Sequence, residues 1–135
     1  MNQVIFTDED VNALKNVIKT EGQSDLTCRK EMDGIVLTMR DYHHDKTLEL
    51  LVLNNIAITI MSMRLEQNRT IDKIFEFLKD FCTRNHIRYI MVKSAQTREM
   101  ADWCINHKFQ PVITKSLVPE DKILGEYRFD MTNIT

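Results

Sequence analysis

The stretch IAITIMSMRLEQNRTIDKIFEFLKDFCTRN, residues 56–85, decides how the rest of the chain is arranged. Its first part, residues 56–63, is apolar and rich in β-branched side chains, the composition of a buried strand. A polar interval, residues 64–70, follows. Then Ile71, Ile74, Phe75, Leu78, Phe81 and Cys82 recur three or four residues apart and lay one apolar stripe along a helix. Thr70 or Asn68 suits the cap of that helix, Asp72 favours the positive end of its dipole, and Asn85 suits a left-handed stop. The spacing therefore predicts a strand over 56–65 that feeds a helix over 71–85. Unpaired N–H groups at such a helix start form an anion site. Arg64, Asn68 and Arg69 stand beside it, two of them with the guanidinium group that suits a phosphate. Solvated loop charges are the other reading of these residues.

Before this stretch, residues 1–6 read as a short edge strand, and Thr7-Asp8-Glu9-Asp10 as a helix start with an acidic first turn. Val11, Leu14, Val17 and Ile18 give that helix its stripe, and Gly22 its C-terminal cap. Residues 25–31 fit either a strand or a loop. GIVLTMRDY from Gly34 and TLELLVL over 47–53 read as strands, and Asn54-Asn55 as a tight turn into residue 56. The intervening turn, Asp41-Tyr42-His43-His44-Asp45-Lys46, holds metal-ligand residue types. Adjacent histidines on a short loop converge poorly, so no metal site is expected.

After the central helix, residues 88–92 form a strand that a crossover makes parallel to the one from residue 56. Residues 96–107 read as another helix, with Met100, Trp103 and Cys104 on one face. Residues 109–114 and 126–131 close the chain as a hairpin. The expected fold is an α/β (α+β) single domain over 1–135, with a mixed, mostly antiparallel sheet of about six to seven strands and about three helices.

The 135 residues suffice for a core without staples. With 43% hydrophobic and 28% charged residues the composition is that of an ordinary globular chain. A net charge of -2 argues against a general nucleic-acid binder. Cys28, Cys82 and Cys104 are odd in number and widely spaced, as in reduced thiols of a cytoplasmic protein. Residues 1–7 carry no signal-peptide pattern, and no apolar run is long enough for a membrane span.

The strand-loop-helix unit, the later strand and the closing segment ending CINHKFQPV together resemble the GNAT superfamily of acyl-coenzyme A-dependent N-acyltransferases, over residues 34–131. In that family the first strand carries a bulge and the loop [QR]-x-x-G-x-[GA] wraps the coenzyme pyrophosphate. The resemblance implies acetyl-CoA as cofactor, an amine substrate, and contacts from Met63, Arg64, Leu65, Gln67, Asn68, Arg69, Thr70 and Ile71. It makes Glu49 the catalytic base on its strand, opposite in face to Leu48 and Leu50; a solvent-facing strand residue is the other reading.

The loop is a degenerate version of the motif, because Arg69 and Ile71 stand where the small residues are expected. Cys104 occupies the place of the family's tyrosine acid, and Lys108 that of the glycine before Phe109. Cys104 with His107 nearby reads as a thiol acid or nucleophile, or as a packed small hydrophobe. Three readings follow: an N-acetyltransferase; a GNAT-fold module without catalysis, binding a protein partner or another small ligand; and, at the level of assembly, a monomer or a homodimer.

Overall fold

The computed structural model describes residues 3–19, 26–40, 48–64, 68–95, 97–112 and 125–133, together with the side chains of all of these except Asn68, Ser94 and Asn133. The elements run α1 (Asp8–Lys19), β1 (Thr27–Glu31), β2 (Val36–Arg40), β3 (Leu48–Leu53), β4 (Ala57–Met63), α2 (Asn68–Asn85), β5 (Tyr89–Ala95), α3 (Arg98–Asn106), β6 (Gln110–Pro111) and β7 (Gly125–Asp130), then a 3-10 turn at Met131–Asn133. Seven strands form one sheet in the order β1-β2-β3-β4-β5-β7-β6. Only β4 and β5 run parallel; all other neighbours are antiparallel. The expected α/β class and mixed sheet are what the chain forms.

The six-residue stripe predicted for the central helix is buried in full, and together these side chains anchor α2 on the sheet. Each such burial removes apolar surface worth roughly 1.5–3 kcal/mol. Paired strand residues share a face, so Leu37, Leu50, Ile60, Val92 and Tyr127 form one cross-strand row, and Ile58, Ile90 and Phe129 another. The helices cover that face: Phe75 of α2 packs edge-on against Phe129 at 5.1 Å and against Trp103 of α3 at 5.4 Å, and Phe6, just before α1, stacks on Phe81 at 5.2 Å. The opposite face carries Thr38, Glu49, Leu51, Thr59, Met91 and Arg128, and no helix among the described residues lies on it.

Local chemistry sets the element ends. Thr7 and Asp10 make a reciprocal capping box: the Asp10 N–H donates to the Thr7 hydroxyl at 3.2 Å and the Thr7 N–H to the Asp10 carboxylate at 3.0 Å. Asp10, buried, also accepts from Arg84 of α2 at 3.2 Å, which ties the two helices. Asn54 and Asn55 both take positive φ, 51° and 57°, and the Ile56 N–H donates to the Leu53 carbonyl, as the two-asparagine turn predicts.

Several expectations change. Residues 3–7 form no strand; they cross the ends of two hairpins, with the Val4 N–H donating to Asn55 Oδ1 and the Phe6 N–H to the Gly34 carbonyl. Gly34 belongs to the turn, at φ +88°, and not to the strand. Helix α2 begins at Asn68, so Thr70 lies inside its first turn and is buried rather than capping it. The left-handed stop is His86, φ 58°, one residue past Asn85; with the Ile87 N–H donating to the Cys82 carbonyl at 2.9 Å it closes a Schellman motif. Thr97 caps α3, and β6 is two residues long instead of six. Gly22 and the cluster from Asp41 to Lys46 lie outside the described residues. Among the described residues no helix is long and apolar enough to cross a membrane.

Candidate active site

Strand β4 changes character halfway along. Residues 57–60 are buried, whereas Met61, Ser62 and Met63 are half-exposed. Two features begin at that point. On one side, β3 pairs Glu49 with Ser62 but Leu50 with Ile60, so Met61 is an extra residue without a partner: a β-bulge. On the other side, the parallel pairing with β5 ends at Ile60 and Val92, although β4 runs on to Met63 and β5 to Ala95. The two strands therefore part, and backbone groups left without a ladder partner face the gap. The β5–β7 ladder also slips between Val92 and Ala95.

Beyond the parting, Arg64 is exposed and α2 starts at Asn68 with Arg69 exposed in its first turn. The N-terminal end of an 18-residue helix, whose first-turn N–H groups have no partner within the helix, and two arginines thus stand after the gap. Of the residues predicted to hold the coenzyme, Met63 is packed against the core, Thr70 and Ile71 are buried and can offer only backbone, and Leu65 and Gln67 lie outside the described residues, as does the side chain of Asn68. Arg69 and Ile71 have no positive φ. Their backbone conformation therefore requires no glycine, and the missing small residues bear only on how closely a ligand approaches.

Glu49 lies on the face away from the helices, half-buried, in register with Ser62 beside the bulge. The hydroxyl of Thr38 is 3.4 Å from its Oε2. Cys104 sits on the other side of the sheet, on the inward face of α3, with its side chain sealed in the core and its pKa pushed up to about 12 by burial. The structure does not bring Glu49 and Cys104 together. His107 is engaged elsewhere: its Nε2 is 3.2 Å from Asp72 Oδ1, its Nδ1 is 2.8 Å from the Trp103 carbonyl, and its ring stacks on Trp103 at 4.2 Å. The Trp103 indole N–H donates to the same Asp72 oxygen at 2.9 Å. The i, i+4 spacing of Trp103 and His107 was visible in the sequence; their partner, 31 positions before Trp103, was not.

No protein-family model matches the sequence, and no curated protein matches it. Among solved structures it is similar to an acetyltransferase from Streptococcus agalactiae 2603, with 13% identity, a TM-score of 0.43 and 69% of this chain covered. It is also similar to the N-terminal domain of a ribosomal-protein-alanine acetyltransferase from Clostridium acetobutylicum ATCC 824, with 14% identity, a TM-score of 0.45 and 82% of this chain covered. The chain spans 64% of the length of the Streptococcus structure and 94% of the Clostridium domain.

Proposed function

We propose that this protein is an acyl-CoA-dependent N-acyltransferase, acetyl-CoA being the donor and an amine the acceptor. The observation that carries the reading is the bulged Met61 at the mouth where β4 and β5 part, with α2 the next element, from Asn68. The coenzyme would supply an acyl group activated as a thioester, whose C–S bond breaks as the amine's N–C bond forms, the coenzyme sulfur leaving as a thiolate that takes a proton from solvent. The chain supplies what the transfer needs around it. First-turn N–H groups of α2, with Arg64 and Arg69, bind the pyrophosphate. A backbone N–H at the bulge would hydrogen-bond the acyl oxygen as it gains charge. Glu49 takes the proton that the attacking amine gives up, directly or through one water. Cys104 has no part in this reading, because a thiol held neutral in the core neither attacks nor exchanges protons near pH 7.

Isothermal titration of acetyl-CoA into the purified protein tests it, with Arg69→Glu alongside. Binding in the micromolar range is expected, weakened at least about tenfold, or ~1.4 kcal/mol, by the charge reversal. No heat and no thermal shift at saturating coenzyme would sink the enzyme reading. The same sheet would then be read as a module that binds a protein partner or another ligand.

A further inference from the structure

On the face of the sheet away from the helices, Thr38, Glu49 and Ser62 occupy one cross-strand row on β2, β3 and β4. Neighbours in such a row stand close enough to interact through their side chains. Thr38 is only 4% exposed, although it carries a hydroxyl. The acceptor facing that hydroxyl is Oε2 of Glu49 at 3.4 Å, and an ionised carboxylate only accepts, so the threonine donates. At this length the contact is loose, as hydrogen bonds of a catalytic group commonly are before substrate closes the site. Threonine is stiff at χ1, so its hydroxyl has few directions to choose from. On the far side of Glu49 lies Ser62, next to the bulged residue and the gap.

We propose that Thr38 is a positioning residue: by holding Oε2 from the β2 side it sets the rotation of the Glu49 carboxylate toward β4, where the amine's proton arrives. This rests on the acyl-transfer reading. Thr38 touches neither coenzyme nor amine in this scheme; it acts through Glu49 alone.

The test compares wild type, Thr38→Val, Thr38→Ser, Glu49→Gln and the Thr38→Val/Glu49→Gln double variant. The readout is acetyl transfer from acetyl-CoA to three probe amines: spermidine, free lysine and a heptapeptide with a free α-amino group. Coenzyme affinity is titrated in parallel. Thr38→Val is expected to lower kcat about tenfold with acetyl-CoA affinity unchanged, Thr38→Ser to restore it, and Thr38→Val to add nothing in the Glu49→Gln background. Full kcat in Thr38→Val overturns the assignment, as does failure of the serine variant to rescue or an additive effect in the double variant. A wild-type protein that binds acetyl-CoA yet acetylates none of the probes overturns the roles of Glu49 and Thr38 while the coenzyme site stands. Absence of acetyl-CoA binding overturns the reading beneath both.

Discussion

Asp72 accepts from the Trp103 indole and the His107 ring with one oxygen, so a half-exposed carboxylate on α2 fixes the far end of α3. Trp103 is mostly buried, so removing its acceptor strands an indole N–H. Asp72→Ala should therefore cost about 1–2 kcal/mol, read from urea unfolding, with Asp72→Asn recovering part of it. Glu49→Gln belongs to the same scale but to the chemistry. It keeps the shape and removes the base, so kcat should fall by roughly 10²–10⁴-fold with acetyl-CoA affinity intact, as checked by steady-state kinetics beside titration. Equal kcat in that variant would remove Glu49 from the site.

Both helices that follow the sheet's parallel pair end in the same way, with a non-glycine residue at positive φ: His86 after α2 and Lys108 after α3. At Lys108, φ is 68°, and the Phe109 N–H donates to the Cys104 carbonyl at 2.9 Å, the closing bond of a Schellman motif. A side chain with a Cβ pays about 1–2 kcal/mol for that conformation. Lys108→Gly should accordingly stabilise the protein by about 1 kcal/mol, seen as a higher urea midpoint at unchanged slope. This position also shows what was legible beforehand. In the sequence Lys108 read only as a departure from the glycine before Phe109; the structure shows that the positive φ is there all the same, carried by a lysine. The 3.6-residue stripe of α2, by contrast, was readable, since burial of one helix face is written into spacing. The first residues were misread as a strand because an apolar run says that a segment is covered, not by what: Phe6 is buried by α2 and held by a turn carbonyl, outside any ladder. The bulge at Met61 was expected only from the family resemblance; the residues themselves carry no mark of it, for it is a slip between two strands and neither sequence alone records register.

For the whole molecule, ionisation sets both edges of stability. Lys30, hydrogen-bonding Asp8, holds that carboxyl below its usual range; the backbone and hydroxyl of Thr132, and then Arg88, do the same for Asp130. Depressed carboxyls lend stability in full above their unfolded values, and it is lost as pH falls through the folded ones. In the core, burial raises the Cys82 and Cys104 thiols from 9.0 to about 12. The sign is reversed there: their contribution is complete below pH 9.0 and drains away between 9.0 and about 12, as the unfolded chain gives up protons that the folded one keeps. Scanning calorimetry across pH should show Tm level through neutrality and falling on both flanks, with the alkaline fall shallower when both cysteines are replaced by alanine.

The parting of β4 and β5 has a bearing on time as well as on shape. On the β5 side of β4 the pairing ends at Ile60 while the strand runs on to Met63, so an amide there that faces the gap has no strand beside it and exchanges its hydrogen with solvent faster than those inside the ladders. Deuterium uptake followed amide by amide turns that position into a built-in reporter. Its rate drops when an acyl oxygen takes up the N–H, and stays as it is when a ligand settles anywhere else on the sheet.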